Sequence, residues 1–184
     1  SVTVTDQFGT CNDVTTVTVS EPATSVTASI ASSTSITCNG ASDGTATASG
    51  AGGNGAPYTY AWNTAPAQNT ALVTGLSGGT TYSVTVTDQF GTCNDVTTVT
   101  VNEATAITVS FGGTNNSSCA GGTDGQSTAS ASGGAGGYSY QWDALAGSQT
   151  DATATGLVPG NYTVTVTDGS TCIGTGTVTI TNNN

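Results

Sequence analysis

The stretch SVTVTDQFGTCNDVTTVTV occurs twice without change, at Ser1–Val19 and at Ser83–Val101. In the second copy Val84 and Val86 alternate with Thr85 and Thr87. Asp88-Gln-Phe-Gly-Thr-Cys-Asn94 then breaks the pattern, and Thr98 and Thr100 alternate with Val99 and Val101. A period of two gives each strand one apolar face, and Asp, Gly and Asn between two such runs mark a hairpin. Val and Thr suit a pleated, half-buried surface. The stretch predicts two antiparallel strands with Tyr82, Val84, Val86, Val99 and Val101 inward.

Outward from this hairpin the chain repeats itself. Cys11 aligns with Cys93 and Cys172, Cys38 with Cys119, Asp43 with Asp124, and Trp62 with Trp142. The period is about eighty residues, too long for a solenoid and suited to a small β-domain. The expected division is the last two strands of a preceding repeat at 1–22, one whole repeat at 23–103, and a second at 104–184, with boundaries near Glu21–Pro22 and Glu103–Ala104. On that division Ser1–Val19 is expected to be an unpaired hairpin, or one completed by material outside the sequence.

Within a unit the pattern is strand throughout. Ser25–Ile30, Thr45–Ser49, Tyr58–Trp62, Thr70–Thr74, Tyr82–Asp88 and Val96–Val101 are the expected strands, separated by turn signals every ten or so residues. The fold class is all-β: tandem immunoglobulin-like β-sandwich domains in a head-to-tail array. Trp62 and Trp142 are placed where a central strand carries a core Trp, and Tyr82 and Tyr162 where a tyrosine corner bonds back to upstream backbone. The competing use of these aromatics is a sugar-stacking platform; their recurrence in every unit favours the core.

Composition excludes whole classes of function. The 184 residues include no Lys, Arg or His against eleven Asp plus Glu, a net charge of −11. Nucleic-acid binding and attraction to anionic lipid both need cations. Acid–base catalysis loses its usual neutral-pH groups; only carboxylate-pair chemistry remains open in form, and no enzyme is expected. No apolar run approaches a membrane span, so this segment is not expected to insert. The absence of Lys also rules out Lys–Asn isopeptide bonds and removes every trypsin-type cleavage site.

Five cysteines resolve into two per unit, with Cys11 from the partial one. Regular placement in such a chain argues for disulfides rather than zinc. Two schemes are open. Pairing within a unit gives Cys38–Cys93 and Cys119–Cys172, the default. If the two cysteines of a unit lie at opposite ends of the sandwich, they exceed the ~7 Å Cα limit, and Cys38 meets Cys172 of the next unit instead. Cys11 pairs outside the chain in either case. Asp43, Asp88, Asp95, Asp124 and Asp168 are calcium candidates, because calcium takes oxygen clusters. Asx turns explain the same residues without an ion, and no cofactor is the prevailing expectation. Outward Thr rows are read as strand-forming, wettable surface rather than an ice-binding face.

Cys38-Asn-Gly-Ala-Ser-Asp-Gly44, Tyr58-Thr-Tyr-Ala-Trp62, Gly75-Leu76, Tyr82-Ser-Val-Thr-Val-Thr-Asp88 and Gly91-Thr-Cys93 together resemble the SprB repeat of the giant gliding-motility adhesins and related surface proteins of Bacteroidota. Cys119, Asp124-Gly125, Tyr138-Ser-Tyr-Gln-Trp142, Gly156-Leu157, Tyr162-Thr-Val-Thr-Val-Thr-Asp168 and Cys172 repeat the likeness. Ala120 in place of the turn Asn, and Thr92 between Gly91 and Cys93, depart from it. The resemblance implies a cell-surface protein exported by the type IX system, acting as an adhesin or long filament in attachment or gliding. Its partners would be neighbouring repeats of the same protein and surface or glycan ligands. A carbohydrate-binding or accessory module of a secreted protein is the alternative.

Overall fold

Short alternating runs bounded by Gly, Asn and Asp produce fourteen strands among the described residues of the computed structural model, which are 1–19, 24–91 and 93–183. The expected boundary at Glu21–Pro22 and the inserted Thr92 lie outside them. Strands β1 (Val2–Thr5) and β2 (Asn12–Thr15) pair with each other as a two-stranded sheet. The next six strands make a sandwich of two antiparallel sheets. One holds β3 (Thr27–Thr34), β4 (Gly44–Ala51) and β6 (Leu72–Leu76) in the order β3-β4-β6. The other holds β5 (Thr59–Trp62), β7 (Thr81–Thr87) and β8 (Asn94–Thr100) in the order β5-β7-β8.

The pattern then recurs. Strands β9 (Thr108–Asn115), β10 (Gly125–Ser132) and β12 (Thr153–Leu157) face β11 (Ser139–Trp142), β13 (Gly160–Thr167) and β14 (Ile173–Ile180). The chain is thus all-β, with two immunoglobulin-like sandwiches in tandem. Each has the A-B-E and C-F-G sheets of that fold but not its D strand: residues 63–71 run from β5 to β6 without pairing as a strand. The Trp explains why. The Trp62 indole N–H donates to the Thr70 carbonyl at 3.0 Å and its backbone N–H to the Gln68 carbonyl at 3.0 Å, so this segment closes over the core ring. Trp142 repeats both bonds with Asp151 and Gln149, and a single 3-10 turn, Ala144–Ala146, fills the same link. As a result the fourth strand begins at Leu72 rather than Thr70.

The cores are small and apolar. Val73, Val84 and Val86 are fully buried with Trp62 and Leu76 in the first, and Ala154, Val164 and Val166 with Trp142, Leu157 and Tyr162 in the second. Tyr58, Tyr60 and Tyr82 pack partly buried against the first core, so this face of β5 points inward and offers no open aromatic platform. Tyr162 donates to the Val158 carbonyl at 2.7 Å, whereas the Tyr82 hydroxyl accepts from the Ser77 N–H at 3.0 Å. Both bonds reach back four or five residues, fixing the corner into β7 and β13.

The hairpin β1–β2 shows what the second sheet contributes. Its letters are those of β7–β8, yet Val2 is 57% and Val4 64% exposed, while Val84 and Val86 are fully buried. Sequence alone makes the hairpin; the facing sheet makes the core.

Close approach of the sheets also fixes Gly44 and Gly125, which open β4 and β10. A Cβ on Gly44 would stand 2.8 Å from Val101 Cγ1 and 2.9 Å from the Leu76 carbonyl oxygen; on Gly125 it would stand 2.8 Å from Ile180 Cγ2 and 2.6 Å from the Leu157 oxygen. Gly44→Ala is therefore expected to destabilise the protein by about 1–3 kcal/mol, as overpacking does. Gly112, whose Cβ would meet nothing within 4 Å, supplies the control: Gly112→Ala should stay within about 0.5 kcal/mol. Thermal denaturation of the two variants checks the contrast.

Candidate functional site

The two cysteines of a repeat are presented by two different loops at opposite ends of the sandwich. Cys38 lies in the loop from β3 to β4, close before Gly44, and Gly44 sits against Leu76 and Val101. Cys93 follows β7, whose far end carries Asp88, and Asp88 sits against Gly53 beyond the other end of β4. The eight residues of β4 separate these ends by roughly 25 Å at the usual rise per residue. No disulfide spans that distance.

The structure accordingly joins Cys38 to Cys172, with a Cα–Cα distance of 5.4 Å and a sequence separation of 134. This corrects the default within-repeat pairs Cys38–Cys93 and Cys119–Cys172: strand length forbids them, and the lower end of one sandwich faces the upper end of the next. The bond is therefore a covalent staple between neighbours. Cys11 and Cys119 are exposed thiols outside any disulfide among the described residues.

Local chemistry holds each loop in shape. On the lower side, the Ala41 N–H donates to the Cys38 carbonyl at 2.9 Å, making a tight turn. The Asp43 carboxylate accepts from the Thr37 N–H at 3.0 Å and from the Thr37 hydroxyl, bracing the same turn. On the upper side, Asp168 is only 5% exposed. It accepts from the N–H groups of Ala135, Ser170 and Cys172 at 2.7, 2.9 and 2.9 Å, and its own N–H donates to the Cys172 carbonyl. Cys172 is buried and its sulfur rests 3.4 Å from the Thr37 carbonyl oxygen, a packing contact because a disulfide sulfur carries no proton.

A second tie crosses from the lower loop to the linker. Glu103 Oε1 accepts from Asn39 Nδ2 at 2.9 Å and from the Gly40 N–H at 2.8 Å, while Asn39 Nδ2 also donates to the Ala104 carbonyl at 3.0 Å. The remaining seam is a cleft of about 100 Å³ lined by Cys38, Asn39, Thr105, Ala106, Ile107, Cys172 and Ile173. That is well below the volume of a small-molecule site.

The five calcium candidates are not brought together: among the described residues no three His, Cys, Asp or Glu side chains cluster for a metal. Each instead accepts N–H bonds. Asp88, 2% exposed, takes the Asn54 N–H and side-chain amide at 3.2 and 2.6 Å and the Cys93 N–H at 3.4 Å. Asp95 reaches from β8 to the Ala28 N–H of β3 at 2.9 Å, linking the two sheets. Asp124 repeats Asp43, accepting from the Ser118 N–H and the Ser117 hydroxyl at 3.0 Å each. The sequence reading placed these residues but missed Glu103, whose position two residues beyond Val101 was the available signal.

These bonds favour the ionised carboxyl. The Ser118 N–H holds Asp124 down to about 2 from 3.8. The Thr37 hydroxyl and N–H lower Asp43, and the Ala135 N–H lowers Asp168. A depressed native pKa adds stability that is complete above the unfolded value and disappears as pH falls through the native one. Melting temperature is therefore expected to stay flat from neutrality to about pH 5 and to fall from about pH 4 towards 2. Asp124→Asn should lower stability at neutral pH and flatten the acid limb; circular dichroism melts across pH test both.

Comparison with known proteins bears on the family and the fold. The SprB repeat family model matches residues 30–67 and 112–147, one segment in each sandwich. No curated protein sequence matches the chain. Among solved structures, the three N-terminal domains of the bacteriophage RB49 highly immunogenic outer capsid protein (Hoc) are 21% identical with a TM-score of 0.50, over 86% of this chain and 59% of that one. A C-terminal 282-residue fragment of intimin, solved with the intimin-binding domain of the translocated intimin receptor, is 14% identical with a TM-score of 0.39, over 83% and 64%. Domains 1–6 of the surface layer protein SbsC are 16% identical with a TM-score of 0.31, over 91% and 29%. The Hoc likeness is one of fold.

Proposed function

We propose that this chain, which carries two repeats of the SprB family, is a shaft segment of a long extracellular surface protein, an adhesin or filament serving bacterial attachment or gliding. The observation that carries the reading is the Cys38–Cys172 bond between two folded sandwiches. A disulfide at that place contributes nothing to either core. It fixes the angle and separation of the neighbours, which is what a spacer requires. Such bonds persist in oxidising surroundings, and a surface without a single Lys or Arg resists trypsin-like proteases and repels its own copies. Verbatim copying of Ser1–Val19 at Ser83–Val101 fits a part selected for length and strength rather than for a diversified binding loop.

On this reading the linker is stiff because it is clamped twice, by the disulfide and by Glu103. Oxidised protein is expected to scatter X-rays as one extended rod, with the two sandwiches sharing one rotational correlation time by NMR relaxation. Cys38→Ser, or reduction, should leave both sandwiches folded while their tumbling separates and the longest dimension broadens. Unchanged scattering and relaxation after the bond is removed would overturn the stiff-shaft reading.

A further inference from the structure

The stapled junction is built from two loops that each recur. The lower loop at Cys38 has its twin at Cys119: the Gly122 N–H donates to the Cys119 carbonyl at 3.0 Å as Ala41 does to Cys38. Asp124 accepts from the Ser118 N–H as Asp43 does from Thr37. The upper loop at Cys172 has its twins at Cys93 and Cys11: the Asp88 and Asp6 N–H groups donate to the carbonyls of Cys93 and Cys11 at 3.0 Å, as Asp168 does to Cys172. One lower loop is already bonded to one upper loop, which shows what this shape of lower loop receives. The other lower loop presents Cys119 exposed, at the far end of the second sandwich, outside any disulfide among the described residues.

We propose that the Cys119 end of the second sandwich is a docking face for another copy of this repeat, and that Cys119 forms a disulfide with that copy's cysteine in the loop equivalent to Gly169–Cys172. This rests on the shaft reading and extends it: the staple is a property of every junction, so the array is covalently cross-linked from unit to unit beside its backbone. The step is a thiol–disulfide exchange. The Cys119 thiolate attacks a small-molecule disulfide and expels one thiol. The incoming cysteine thiolate then attacks the mixed disulfide and expels the second, so two protein thiols are oxidised and one small disulfide is reduced to two thiols. Two features of the first junction are not carried over, since Ala120 stands for Asn39 and Asn182 for Glu103. The amide–carboxylate pair therefore has no counterpart on this face.

The test extends the full chain by repeating Thr105–Asn184 after Asn183, the position equivalent to Ala104, so that the added unit follows the native linker length. The added copy alone carries Ser at its equivalent of Cys119, so that every Cys119 peptide comes from the original unit. The extended chain is equilibrated with oxidised and reduced glutathione, alkylated with iodoacetamide, cut with chymotrypsin and mapped without reduction. The expected result is loss of Cys119 alkylation and a peptide joining Cys119 to the added unit's upper-loop cysteine. That peptide should be absent from a Cys119→Ser version. Melting of that version by circular dichroism reports whether the added unit folds. With the unit folded, Cys119 still alkylated, or joined instead to Cys11 or Cys93, overturns the proposal. The Cys38–Cys172 peptide in the same digest separates the two ideas: its presence beside an alkylated Cys119 refutes only the relay, whereas its absence refutes the stapled shaft itself.

Discussion

Eleven carboxylates in a chain without Lys, Arg or His have only N–H and O–H groups to neutralise them, and that constraint shapes the loops at the two ends of each sandwich. A carboxylate accepting two or three N–H bonds is stable without a counter-ion, but only where the backbone curls to offer them. Asp88 and Asp168 collect such donors just after β7 and β13, Asp43 and Asp124 in the loops before β4 and β10, and Glu103 across the linker. In each case the residue that would read as a metal ligand or a repulsive charge folds a loop. Those loops are the ones that hold the cysteines.

The sandwich then gives the cysteines a direction. Because β4 spans the domain, the β3–β4 and β7–β8 loops are its two ends, and a cysteine on each gives the domain two unlike ends. Two thiols at opposite ends cannot cross-link the domain to itself, and Cys38 pairs with Cys172 of the neighbouring sandwich instead. A bond closing so long a loop of the denatured chain is worth roughly 5 kcal/mol in the entropy model. In the folded array that constraint acts on the hinge, which is otherwise a short, uncharged linker save for Glu103.

Much of this was written in the letters. Alternating Val and Thr predicted the strands, and recurrence of Trp62 and Trp142 predicted the core. Strand edges were less legible: Thr70 reads as β-forming, yet its carbonyl is taken by the Trp62 indole, which pushes β6 on to Leu72. The cysteine pairing stayed open because alignment of Cys38 with Cys119 and of Cys93 with Cys172 says which residues are alike, not which are near. Only the ordering of ends along β4 decides that. Glu103 was invisible because its partner Asn39 lies 64 residues away in sequence, at the other end of the same repeat.

Comparison of the two lower faces separates what a junction needs from what it merely uses. Asn39 and Glu103 are partners in one tie, and in the second repeat both are replaced, by Ala120 and Asn182. Cys119, Asp124 and Gly125 are kept, with the same turn geometry. Loss of a hydrogen-bonded pair together leaves no orphaned charge, so the tie can be discarded as a unit at little cost. The cysteine with its aspartate brace cannot be traded in this way, because its partner belongs to a different repeat and would be stranded. A device split across two units constrains both at once, so a change in the loop at Cys38 has to be answered in the loop at Cys172.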